Sequence, residues 1–130
     1  MSPLPEGVAR LVDGVNYAHV ATVLPSGAPH SVPVWIDREG DRLAVLTSLG
    51  SRKARNLTRD PRVAISIIDH DRPQATALIR GRLTTVLDGD EGWKVIDRIA
   101  AKYTGDPYPL RTDRVVLLFE ADRADAYDFG

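Results

Sequence analysis

The chain contains no cysteine. Disulfides, thiol nucleophiles and thiolate metal sites are therefore excluded. The three histidines (His19, His30 and His70) are scattered and show no ligand spacing, so each reads as a strand or turn residue rather than a metal ligand. No nucleophile-elbow pattern and no paired-carboxylate motif is present. No apolar run approaches the ~20 residues of a membrane span. A net charge of -1 leaves no whole-protein basic surface for nucleic acid. The N-terminus lacks the basic start and apolar stretch of a signal peptide, and a cytoplasmic protein is the default expectation.

What is present is an ordinary globular composition, 43% hydrophobic and 27% charged over 130 residues. That length suits one domain, 1–130, with a core of its own. There is no internal repeat, low-complexity segment or linker. Pro3 to Asp13 reads as a short N-terminal helix, with Val8, Leu11 and Val12 at helical spacing and Gly14 as its stop. Tyr17 to Leu24 is β-rich and almost wholly apolar, which predicts a strand covered on both faces. Pro25 to Pro29 turns the chain into a second strand, His30 to Asp37. Pro33 cannot donate a ladder bond, so an edge or a bulge is expected there. A turn at Arg38 to Asp41 leads to a third strand up to Thr47. A β-branched fourth strand spans Val63 to Ile68. Gln74 to Leu87 forms a fifth with Gly81 as a bulge or bend, and Val115 to Phe119 starts the last, which extends towards Tyr127. The longest helix spans Asp88 to Tyr103, with Trp93, Ile96, Ile99 and Ala100 as its apolar stripe. Three β-runs in succession before the first inserted helix favour an antiparallel sheet, and six such strands best remove their edges by curling into a barrel.

The most distinctive stretch is Thr47 to Pro61, T-S-L-G-S-R-K-A-R-N-L-T-R-D-P. It reads as a strand end, a tight turn and a helix from about Gly50 to Arg59, stopped by Pro61. Residues 47–62 hold five of the 17 basic residues and one of the 18 acidic ones. Arg52 and Lys53 fall in the first helical turn, where free backbone N–H groups also point outward and an anion can be cradled. Arg grips phosphate with parallel donors and Lys acts as a point charge. Arg55 and Arg59 lie further along the helix, placed to follow an anionic tail. The same residues also fit a solvated basic face. Trp35 is open to two readings, ring stacking or core packing. Tyr103, Tyr108 and Tyr127 fit substrate orientation as well as loop or core roles.

Four stretches together resemble the pyridoxamine 5′-phosphate oxidase-like, FMN-binding split-barrel family. Within it they are most similar to the actinobacterial group that uses the deazaflavin coenzyme F420. The stretches are Ala18-His-Val-Ala-Thr-Val with Gly27-Ala-Pro-His30, Val32-Pro-Val-Trp-Ile36, Thr47-Ser with Ser51-Arg-Lys-Ala-Arg-Asn-Leu57 and Asp60-Pro-Arg-Val63, and Thr112-Asp-Arg-Val-Val-Leu-Leu118. The third is the most specific. The resemblance implies a mainly β (α+β) fold, a six-stranded antiparallel split β-barrel with a short N-terminal helix and two further helices. It implies a homodimer with two cofactor sites at the subunit interface and a small-molecule substrate. Cofactor phosphate is expected against Thr47, Ser48, Arg52 and Lys53, with Ser51 and Asn56 close by. The ring is expected along Pro33, Val34, Trp35 and Ile36, and the partner subunit's contribution around Gln74 to Ala77. The chain is much shorter than the oxidases that act on pyridoxamine phosphate and lacks their C-terminal arginine and histidine segment, which argues against vitamin B6 oxidation. The expected activity is an F420-dependent reductase of a small unsaturated or quinone-like substrate. The alternatives are an FMN-dependent oxidoreductase and a non-catalytic F420 or FMN carrier or sensor. Hydride transfer asks the protein for orientation and electrostatics, which fits a chain without an activated nucleophile.

Overall fold

Pro5 precedes helix α1 (Glu6–Asp13), which buries Val8, Leu11 and Val12 as its spacing predicts. Strand β1 (Ala18–Val23) turns through Gly27, at φ 89°, into β2 (Pro29–Val34). Two residues later the chain forms β3 (Asp37–Glu39), then β4 (Arg42–Thr47). Helix α2 (Arg52–Arg59) leads to β5 (Arg62–Ile68) and β6 (Ala75–Leu87). Helix α3 (Gly89–Thr104) and the long β7 (Val115–Asp128) complete a computed structural model that describes residues 3–129. No helix among the described residues is long and apolar enough to cross a membrane.

All strand pairs are antiparallel, in one seven-stranded sheet of order β2-β1-β5-β6-β7-β4-β3. This corrects the expected six-stranded barrel. The predicted second strand is two strands, because the run His30 to Asp37 leaves the β1 ladder after Val34 and joins β4 from Asp37 onward. Its two halves are the two edges of the sheet. Only Trp35 and Ile36 separate them, so the sheet must curl until its edges nearly meet. Pro33 sits on an edge strand, as its missing donor requires.

The inside of the curl is filled by Val20, Leu43, Ile65, Ile67, Ile79, Leu117 and Phe119, with α1 closing one end. A second apolar layer lies outside β4 and β7, where Val95, Ile96 and Ile99 of α3 pack on Ala44, Val116 and Leu118. The strands buried on both faces are therefore β4 and the first half of β7. Strand β1 is not one of them, contrary to its apolar reading: His19 is exposed and Ala21 half-buried, because no helix covers that side. Between β6 and β7 the register shifts at Arg80/Gly81, where Asp122 of β7 is the extra residue, and again at Leu83/Thr85, where Thr84 of β6 is, so Gly81, expected as a bulge or bend, lies opposite a bulge of β7.

Candidate functional site

Helix α2 starts at Ser51, whose Oγ accepts from the Ala54 N–H at 3.2 Å and from the Thr47 hydroxyl at 2.9 Å. This N-cap ties the end of β4 to the first turn of the helix. Asn56 is fully buried and donates through Nδ2 to Thr22 Oγ1 at 3.0 Å, while its Oδ1 accepts from Arg52 at 3.4 Å. Asn56 thus clamps α2 to β1 and aims Arg52, with no exposed surface for a ligand. Lys53, half-buried one residue on, has no hydrogen-bond or carboxylate partner among the described residues. Burial, and secondarily the Arg114 charge, lower its pKa below the ordinary lysine value.

Lys53 opens into a cleft of about 370 Å³ lined by Tyr17, Pro33, Val34, Trp35, Leu46 and Tyr108. Its back wall is an aromatic layer. Trp35 stacks on Tyr103 with ring centroids 5.2 Å apart and planes 7° off parallel, and Tyr108 meets Trp35 edge-on at 6.4 Å. Tyr17 also meets Tyr103, at 5.9 Å with the planes tilted by 33°. Trp35 is held because the end of α3 grips the link between the two sheet edges. The Tyr103 hydroxyl accepts from the Ile36 N–H at 3.1 Å and donates to the Asn16 carbonyl, and Lys102 donates to the carbonyls of Val12 and Ile36. Burial raises the Tyr103 pKa, which keeps that hydroxyl protonated, and lowers that of Lys102.

The cleft thus brings together Pro33, Val34, Trp35 and Lys53, with Thr47, Ser48, Ser51 and Arg52 on the adjoining turn. Other expected site residues fall elsewhere. Ile36 points into the core at 0% exposure and serves the site only through its backbone. Ala77 is also fully buried, so its side chain cannot reach a partner subunit; its neighbour Leu78 is the exposed one, at 52%. Gln74 sits half-buried in the turn before β6, where its carbonyl accepts from Phe129. The basic run is also less free than its count implies. Arg59 donates to the Val23 carbonyl and Arg62 pairs with Asp60 at 2.7 Å, which leaves Arg55 exposed and without a partner among the described residues. Sequence reasoning missed Leu46, Tyr17 and Arg114 as site residues. Leu46 carried a signal, since it lies out of phase with the core positions Leu43 and Val45 on β4. Arg114 becomes a neighbour only through the pairing of Thr47 with Val115.

The donor set fits an anion beside an apolar planar body: the unpaired half-buried Lys53 lines the aromatic cleft, and Arg52, the Thr47 and Ser51 hydroxyls and the helix start lie on the adjoining turn. Among the described residues no group of His, Asp or Glu is placed to hold a metal ion. Among solved structures, one described as an F420 reductase is similar at 28% identity and a TM-score of 0.82, covering 94% of this chain and 98% of that one. A conserved hypothetical protein from Mycobacterium tuberculosis matches at 24% identity and a TM-score of 0.77, with 98% and 90% covered. General Stress Protein 26 from Bacillus anthracis matches at 15% and 0.74, with 94% and 92% covered. The last two show the fold alone. A search of curated protein sequences returned no significant match. The family profile of pyridoxamine 5′-phosphate oxidase matches residues 4–128, and across that nearly complete span the chain belongs to this family.

Proposed function

We propose that the protein is an oxidoreductase that holds the deazaflavin coenzyme F420 in the Trp35 cleft and serves a small unsaturated or quinone-like substrate. The observation that carries this reading is Lys53, a half-buried cation without a partner at the mouth of an aromatic cleft. Leaving such a charge unpaired is unfavourable unless an anion completes it. Lys53 and Arg52 would hold the phosphate with the Thr47 and Ser51 hydroxyls, and Pro33, Val34 and Trp35 would orient the ring. The coenzyme, when bound, supplies the hydride. The chain's own part is to fix the ring plane, exclude water with Tyr17, Leu46 and Tyr108, and keep the charges stationary. The 28% identical neighbour described as an F420 reductase supports the choice of coenzyme. One observation favours FMN instead: Arg59 and Arg62 are engaged locally, so Arg55 alone is left for a carboxylate tail.

The reading includes a homodimer. The outer face of β1, β5, β6 and β7 has a trough floored by Ala21, Ala64 and Ser66, with Leu78 and Tyr127 exposed beside it at 52% and 41%. A second copy would cover these apolar side chains. Single-turnover mixing of the protein, reduced F420 and a quinone-type acceptor should show coenzyme oxidation that requires the protein. Light scattering on the same sample should give twice the 14.3 kDa chain mass. Binding without turnover on any acceptor would turn the reading to a carrier or sensor, and a strict monomer that still binds coenzyme would remove the shared site.

A further inference from the structure

Strand β7 pairs with β4 so that Val115 lies opposite Thr47. Arg114, the residue before Val115, therefore sits beside the turn from which α2 and Lys53 emerge. Its approach depends on an unusual backbone: Asp113 holds φ at 57°, the one positive value outside glycine among the described residues. That turn lets the Arg114 guanidinium fold back on its own loop. Nη1 donates to the Asp113 carbonyl at 3.2 Å and to Thr112 at 3.4 Å, and Nε lies 3.4 Å from the Tyr108 hydroxyl. The guanidinium carbon is 5.7 Å from the centre of the Tyr108 ring. Among the described residues Nη2 has no partner, and no carboxylate pairs with Arg114. Most other arginines of this chain behave differently: Arg10, Arg38, Arg62, Arg72, Arg82, Arg98, Arg111 and Arg123 each hold a carboxylate.

We propose that Arg114 is a specificity residue of the Trp35 cleft, presenting Nη2 with Lys53 to an oxyanion carried by a planar aromatic ligand. Arg114 does not line the cleft itself but stands behind its wall residue Tyr108, close enough for its charge to act on Lys53, and two such cations repel each other until an anion joins them. The guanidinium is already immobilised by three contacts, so little side-chain entropy is lost when an oxyanion arrives. Tyr108 carries both functions, since it lines the cleft with one face and supports Arg114 with its ring and hydroxyl. The ligand class follows: a flat ring against Trp35 and Tyr108, and a carboxylate or comparable oxyanion at the Lys53–Arg114 end. That oxyanion belongs either to the coenzyme or to the substrate. The inference uses the cleft assigned above and rests on that reading for the reaction, though not for the anion.

Trp35 provides a reporter inside the cleft once Trp93, the other tryptophan, is replaced by phenylalanine. In that background 2-naphthoate should bind about tenfold more tightly than the neutral 2-naphthamide, the gain expected of one charge-assisted contact. Arg114→Gln should remove most of this preference, and Arg114→Lys should keep part of it. An undiminished preference in Arg114→Gln, no preference in the parent protein, or no binding of either probe would each overturn the proposal. Parallel F420 titrations and acceptor kinetics separate the sources. Weaker F420 binding in Arg114→Gln assigns the anion to the coenzyme. Unchanged F420 binding with a raised KM for a carboxylated acceptor, and not for its neutral analogue, assigns it to the substrate. A naphthoate preference in a protein that binds no F420 would sink the coenzyme reading and leave Arg114 in place.

Discussion

Replacing Lys53 with glutamate should weaken coenzyme binding about a hundredfold, or about 2.7 kcal/mol, without unfolding the protein. The substitution turns the unpaired cation of the cleft into an anion beside Arg114, which would then be neutralised from within the chain. Stability should hold or rise, because a half-buried ammonium is removed from a helix start where acids are favoured. Opposite signs for affinity and stability separate a binding cation from a solvated one. A solvated lysine would change neither, and a purely structural one would change both downward.

The same residue predicts a pH response. Burial and Arg114 place the folded-state pKa of Lys53 below its ordinary value of 10.5, which the unfolded chain keeps. Between those two values the unfolded chain binds the proton more tightly, so stability rises with pH across the window. Affinity for an anion moves the other way, since the ammonium that attracts it is being lost. Lys102 is also lowered by burial and adds to the stability change with the same sign. The Lys53 part is therefore read as the difference between wild type and Lys53→Met. An affinity that stays flat as alkaline pH removes the charge would show that Lys53 takes no part in binding.

Gly81→Ala should destabilise the fold by about 3 kcal/mol, the upper end of what overpacking costs. Gly81 lies opposite the β7 bulge at Asp122, and a Cβ there would lie 2.1 Å from the Glu120 carbonyl oxygen and 3.1 Å from the Ala121 Cα. Both obstacles are backbone, so no side-chain rotation relieves them. Gly50 has open space where its Cβ would be, so Gly50→Ala is the matched control and should change stability little. Urea unfolding of the two variants checks the difference. Equal midpoints would mean that the bulge relaxes freely.

Period and punctuation made much of this architecture legible. The apolar spacing of α1, the helix from about Gly50 to Arg59 and its stop at Pro61 each report local chemistry, and each stands in the structure close to where it reads, whereas β4 is buried on both faces rather than alternating. The split of His30 to Asp37 into two edge strands was hidden, because nothing local marks a change of pairing partner between Val34 and Asp37. The exposed face of β1 was hidden for a related reason: small apolar residues such as Ala21 read as buried whether a helix or open space lies beyond them. In the proposed site, the residues expected on the phosphate side read together because they are nearly consecutive around one helix start. Asn56 is expected close to the phosphate, but its side chain is fully buried and turns towards Thr22 and the core. Tyr17 lies just before β1, whereas Tyr108 and Arg114 share the loop before β7, so only the fold brings Tyr17 together with that loop.

The central claim is that the Lys53 cleft binds a phosphate-bearing flavin-like coenzyme, with F420 preferred. Its most direct test is a fluorescence titration of the purified protein with F420 and FMN in parallel, at low and high salt, repeated with Lys53→Glu. The account predicts saturable F420 binding that is tighter than FMN binding, weakens as salt screens the tail charges, and collapses in the variant. No binding of either coenzyme, or binding that Lys53→Glu leaves intact, would contradict it.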